Sequence, residues 1–145
     1  RSKLYNFETW GKSKTDSYYE SWSNLPNGQI EEGEYEDLFI TSDAIIHDRV
    51  SFMSEYLFVN KPVCFLLRDS LVFERNLNPY GRELTKTFYT ALNTKDIENF
   101  ISEVVLNGKD EKQKIRFDFL HSALLQRHDS SATDRILEDI EYELQ

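Results

Sequence analysis

Two charge-free apolar runs stand out in the first half of the chain: the short Ala44-Ile45-Ile46 and the longer Pro62-Val63-Cys64-Phe65-Leu66-Leu67. A strand covered on both faces reads this way, because a parallel sheet leaves no solvent side toward which residues can alternate. Between the runs, residues 50–58 place Phe52, Met53, Tyr56 and Leu57 on one broad helical face. Strand, helix and parallel strand make a right-handed βαβ unit. Ligands of such sheets bind beyond the carboxyl ends of the strands. The polar residues of the stretch 37–67 gather in two turns, Ser42-Asp43 and residues 47–51, and the second turn falls at such an end.

The remainder of the chain reads mainly as helices. Residues 1–13 have no clear period but carry Leu4, Tyr5, Phe7 and Trp10, too apolar for a free tail. Thr15 or Asp16 is expected to cap a helix running to Asn24 through Tyr18, Trp22 and Leu25, stopped by Leu25-Pro26-Asn27-Gly28. Gln29-Ile30-Glu31 reads as a weak strand, and a short helix follows through Tyr35, Leu38 and Phe39. Residues 68–70 and 76–81 are turn-rich, with a short helix or loop between them; residues 82–86 read as helical and residues 88–92 as an edge strand. Asn93 or Thr94 caps a helix with Ile97, Phe100, Ile101, Val104 and Val105 on one face, ended by Asn107-Gly108. A further helix over residues 109–126 uses Ile115, Phe119, Ala123 and Leu124. The last, over residues 131–143, uses Ile136, Leu137, Ile140 and Leu144, with Ser131 and Asp134 as a variant capping box. The expected fold is α/β, one domain over residues 1–145 with an incomplete parallel sheet of three or four strands. Within it, residues 1–27 lead, 28–92 form the α/β unit and 93–145 the closing helices.

Composition narrows the partners. The chain's 26 acidic and 17 basic residues give a formal net charge of −9, which argues against nucleic acid or an anionic membrane as its surface partner. No apolar run approaches the roughly 20 residues of a membrane span and no signal peptide is visible. The single cysteine, Cys64, lies inside a strand run and reads as core packing in a reducing compartment. The chain starts Arg-Ser-Lys with a polar aromatic tract, and reads as part of a longer protein.

Candidate chemistry concentrates at two helix starts. At His47-Asp48-Arg49-Val50-Ser51 the first backbone N–H groups of a helix can donate to an anion, with Ser51 adding a hydroxyl and Arg49 a cation. Two readings stand side by side: a phosphate site, or a helix simply capped by Asp48. Glu55, one turn on, faces the same mouth or is a solvated helix residue. The second start, His128-Asp129-Ser130-Ser131-Ala132-Thr133-Asp134-Arg135, admits the same two readings. His121, His128 and Cys64 make no metal set, and no Gly-rich phosphate loop, Gly-x-Ser-x-Gly elbow or Cys-His nucleophile pair is present. The acidic pairs Glu31-Glu32 and Glu36-Asp37 read as solvated faces.

The segment YEDLFITSDAIIHDRVSF at residues 35–52, followed by NKPVCF at 60–65 and by DSSATDR at 129–135, resembles the donor-binding half of the CDP-glycerol glycerophosphotransferase family. Two separate signatures in the right order are more specific than either alone, and the likeness spans residues 28–142. The leading tract, residues 10–26, is similar to members of a capsule-associated branch.

The resemblance implies the C-terminal, Rossmann-like half of a GT-B-type glycosyltransferase fold, in a bacterial enzyme of teichoic-acid or capsular polymer biosynthesis. It implies a CDP-glycerol or other nucleotide-linked donor, a polymer acceptor reached through the parent protein, no cofactor, and a cytoplasmic location with the parent at the inner face of the membrane. By position it assigns donor pyrophosphate to Asp48, Ser51, Ser131 and Thr133, and donor hydroxyls to Glu55. Asp129 belongs to the tail signature, and Arg135 braces the tail or pairs with phosphate. Departures fall in the donor site: His47 replaces Thr, Arg49 replaces Tyr, Val50 replaces a Ser and Ser130 replaces a Gly. The family's two catalytic histidine motifs are absent from this sequence, so the chain alone is expected to bind donor weakly or not at all and not to turn over. His47 stands as a candidate base against a structural or donor-contacting role. The alternatives are a nucleotide-sugar transferase domain and a non-catalytic nucleotide-sensing or interaction module.

Overall fold

The structure is a computed structural model and describes residues 2–8, 10–33, 35–68, 77–125 and 131–144. Its backbone contacts divide it into two compact units, Arg1–Leu38 and Phe39–Gln145.

In the first unit, α1 (Ser2–Tyr5) precedes α2 (Gly11–Ser23). The second helix starts earlier than the expected cap at Thr15 or Asp16. Thr15 is instead fully buried within it, its hydroxyl donating to the Gly11 carbonyl at 2.8 Å. Asp16 accepts from the Tyr5 hydroxyl at 2.9 Å, which ties the leading aromatic tract to α2. Trp10, Tyr18 and Trp22 form successive edge-to-face contacts along it. Residues 29–31 form no strand; with Ile30 as their one apolar member they have little apolar surface to bury in a sheet.

The second unit is built on a three-stranded parallel sheet, β1 (Ile45–His47), β2 (Val63–Leu66) and β3 (Tyr89–Ala91), in the order β1-β2-β3. His47 pairs with Phe65 across the first ladder and Leu66 with Ala91 across the second. The charge-free run therefore forms the central strand. Its alternate residues feed two apolar clusters, which is the two-sided burial that a run without alternation implies. Val63 and Phe65 join Met53, Tyr56 and Leu57 of α4 (Val50–Tyr56) and its 3₁₀ extension (Leu57–Val59), Leu84 of α5 (Pro79–Thr85), Phe88 and Leu120. Cys64 joins Ala91, Phe100 and Val104. Each Val, Leu, Phe or Met side chain among them contributes roughly 1.5–3 kcal/mol when fully buried. Burial also pushes the Cys64 thiol up to about 11, consistent with its reading as core. The arrangement is an α/β fold with an incomplete Rossmann-like sheet flanked by helices.

Three devices hold the strand ends. α3 (Glu36–Thr41) leads into β1, and the Lys61 ammonium donates to the carbonyls of Ile40 and Ser42 at its carboxyl end. Asn60 takes the left-handed conformation, φ 51°, that ends the 3₁₀ turn before Pro62. α5 begins at Pro79 rather than residue 82, because the Asn78 side chain accepts from the Gly81 N–H at 2.7 Å. The expected loop or short helix at residues 69–76 lies outside the described residues.

After β3, the Asn93 side chain caps α6 (Thr94–Asn99), which continues as a π-helical stretch, Phe100–Leu106. It ends at Asn107 and Gly108, the latter at φ +67°. Phe100 and Val104 are buried in this stretch, while Ile101, expected on the same face, is exposed. α7 (Gln113–Phe119) likewise continues as a π-helical stretch, Leu120–Leu125. Its inward face is turned by one residue from the expected one: Ile115 is 45% exposed and Arg116 is 0% exposed. Arg116 forms an ion pair with Asp110 and donates to the Asn60 carbonyl at 3.4 Å, so a charge-paired guanidinium takes a core position that hydrophobic periodicity assigns to a neighbour. The side chains of Ala123 and Leu124 lie outside those described. α8 (Ala132–Glu143) carries the expected apolar stripe, but its Ile136, Leu137, Ile140 and Leu144 are all at least half exposed.

Candidate donor-phosphate site

Because all three strands run parallel, their carboxyl ends open onto one edge of the sheet, and the turn from β1 into α4 begins there. Its residues separate into buried and exposed members. The His47 side chain is 8% exposed and turned into the core, its ring edge-to-face with Phe52 and Phe65. Its Nδ1 accepts the Arg49 backbone N–H at 3.2 Å, so the proton of the neutral ring sits on Nε2. That Nε2 is buried and has no partner among the described residues. Burial holds the imidazole pKa below its ordinary value, with the nearby Asp48 charge acting in the opposite sense.

Asp48, Arg49 and Ser51 face outward. Arg49, not Asp48, occupies the cap position of α4, in extended backbone, and no side chain caps the helix. The capping reading of Asp48 therefore has no hydrogen bond to rest on. Instead, Asp48 Oδ1 lies 3.7 Å from Arg49 Nε in an ion pair whose members are both more than half exposed, a contact of little worth in water. Glu55 is exposed on the same helix.

The tail cluster is arranged differently. Ser131 caps α8: its hydroxyl oxygen accepts from the Asp134 N–H at 3.1 Å, and the Asp134 carboxylate accepts from the Ser131 N–H at 2.9 Å. This is the reciprocal capping box expected from the spacing. The Ser131 hydroxyl, which donates to the Asp134 carboxylate at 2.8 Å, and the Ser131 N–H together hold that carboxyl below its usual range. Arg135 Nε donates to the Ser131 carbonyl at 3.5 Å, and Thr133 is exposed. Asp129 lies outside the described residues.

The same sheet edge carries further polar residues that periodicity gives no reason to notice: Arg68, just past β2, and Asn93 with Lys95, just past β3. Their one signal in the sequence is position, immediately after an apolar run. A cleft lined by Asn60, Gln113, Lys114, Phe117 and Asp118 lies before β2, toward the amino ends of the strands, and contains none of the expected site residues. No group of three or more His, Cys, Asp or Glu side chains among the described residues could hold a metal ion. No helix among them is long and apolar enough to cross a membrane.

No curated protein and no solved structure matches the chain. The profile of one family, CDP-glycerol:poly(glycerophosphate) glycerophosphotransferase, matches residues 26–142, which include β1 to β3, the turn into α4 and nearly all of α8. The chain therefore belongs to the CDP-glycerol:poly(glycerophosphate) glycerophosphotransferase family, a family of transferases of teichoic-acid-type polymer biosynthesis.

Proposed function

We propose that this chain holds the nucleotide-linked donor of a transferase that moves glycerol phosphate from CDP-glycerol to a polymer acceptor. The family supplies the reaction class, a nucleotide-linked donor and a polymer acceptor. The observation that carries the proposal is the uncapped start of α4 at the carboxyl edge of the sheet, with Arg49 and Ser51 exposed beside it. Backbone N–H groups without a side-chain acceptor, a cation and a hydroxyl together suit a pyrophosphate.

In the reaction an acceptor hydroxyl oxygen attacks the β-phosphorus of the donor. The new O–P bond forms as the bond from the β-phosphorus to the bridging oxygen breaks. CMP leaves with that bonding pair, and a general base takes the hydroxyl proton. Donors aimed at the phosphoryl oxygens would stabilise the charge that grows on them. His47 fits a structural or donor-contacting role better than that of the base: its Nδ1 lone pair is engaged by Arg49 and its Nε2 carries a proton. The base then lies in the rest of a GT-B-type enzyme, facing this domain across the cleft.

Equilibrium binding of CDP-glycerol, CDP-ribitol, UDP-glucose and CMP to the chain tests the proposal. The expected order places CDP-glycerol first. Preference for UDP-glucose would instead favour a nucleotide-sugar donor, and no binding by any of the four would remove the donor-site reading.

A further inference from the structure

We propose that Arg68 is a second cationic contact for the donor diphosphate, acting beside Arg49 from the adjoining strand end; this rests on the donor-binding reading above. The family resemblance assigns no role to this position, and the argument comes from the ladder. His47 and Phe65 are partners in register, so β1 and β2 end side by side, about 4.8 Å apart as neighbouring strands are. Arg49 lies two positions past His47 and Arg68 three past its partner Phe65, so Arg68 stands one residue beyond the level of Arg49 on the adjoining strand end. The Leu67 N–H still donates to the Ala91 carbonyl at 2.9 Å, which fixes the backbone up to Arg68.

Among the described residues, the cations at this edge are only lightly paired. Arg68 is exposed and has no hydrogen-bond or ion-pair partner among the described residues. Among the described residues, Asp48 and Asp96 are the carboxylates next in sequence to Arg49 and Lys95. Asp48 makes the 3.7 Å contact with Arg49, and Asp96 is committed to the α6 cap, accepting from the Leu92 N–H at 2.9 Å and from Asn93 Nδ2 at 3.0 Å. Elsewhere in the chain Lys12, Lys86, Lys109, Lys114 and Arg116 each pair closely with a carboxylate. With Lys95 in the first turn of α6, an exposed cation follows each of the three strands in a chain of net charge −9. Such a row draws in an anion with two phosphoryl groups, and a guanidinium can hold one of them through two parallel N–H donors.

The test is equilibrium binding of CDP, CMP and cytidine to the wild-type chain and to Arg68→Gln and Arg68→Lys, with the melting midpoint measured for each. The inference expects Arg68→Gln to weaken CDP about ten-fold, leave cytidine and the melting midpoint unchanged, and to be partly rescued in Arg68→Lys. Wild-type binding of CDP with equal affinity in Arg68→Gln overturns the inference and leaves the donor-site reading standing. A lowered midpoint with parallel loss of all three ligands overturns it in favour of a structural role. Failure of the wild type to bind CDP, CMP or cytidine overturns the donor-site reading and this inference together.

Discussion

The Nδ1 of His47 accepts the backbone N–H of Arg49 at 3.2 Å, tying the last residue of β1 to the residue that precedes α4. One bond thus shapes the turn, sets the ring tautomer, and places a cation where a capping side chain would ordinarily sit. The ring itself packs inward on Phe52 and Phe65, while the bond it accepts lies at the sheet edge.

The buried ring makes stability depend on pH. His47 has a folded-state pKa below its ordinary value, while in the unfolded chain it titrates near 6.5. Between those values the unfolded state binds more protons, so the contribution is complete above about pH 6.5 and is lost as pH falls through the folded pKa. Urea midpoints should decline from pH 7.5 to 5.5 in the wild type and decline less in His47→Gln. Superimposable pH profiles would contradict this.

The Arg116–Asp110 pair should behave as a buried ion pair whose members depend on each other. Arg116 is 0% exposed, and Asp110 also accepts from the Tyr89 hydroxyl at 3.1 Å. Arg116→Met leaves Asp110 without its cation and should cost about 3–5 kcal/mol in urea unfolding. The double variant Arg116→Met/Asp110→Asn should recover part of that loss. A single-variant change within about 0.5 kcal/mol, the range of an ordinary surface substitution, would show that the pair is not a determinant of the fold.

Ser51 and Thr133 are both exposed, so their removal should leave the fold intact. In the enzyme that carries this chain, Ser51→Ala and Thr133→Ala should each lower glycerophosphate transfer about ten-fold, the loss of one hydrogen bond to a charged group, with unchanged melting midpoints. Wild-type turnover in both would overturn their assignment to the pyrophosphate.

Legibility in the sequence follows the physics of each element. The βαβ unit was readable because Val63, Cys64, Phe65 and Leu66 face two apolar layers and admit no polar residue. The α8 capping box was readable because Ser131 and Asp134 act locally. The inward face of α7 was not, since hydrophobic periodicity cannot place Arg116 inside when its partner Asp110 stands in the preceding turn. Nor can a 3.6-residue period anticipate the π-helical winding from Phe100 onward, where Ile101 is exposed. The start of α5 was signalled by Asn78-Pro79, a cap followed by a first-turn proline. At the candidate site, spacing alone left Asp48 as cap or phosphate ligand; the backbone shows Arg49 in the cap position and no side chain bonded there.

Backbone amide shifts of Arg49, Val50 and Ser51 during titration of the chain with CDP-glycerol give the most direct test of the donor-site proposal. Saturable shifts at these amides, with smaller changes in Gln113 and Lys114 at the opposite end of the strands, are the predicted result. Saturable binding that moves Gln113 and Lys114 while residues 49–51 stay still would contradict it.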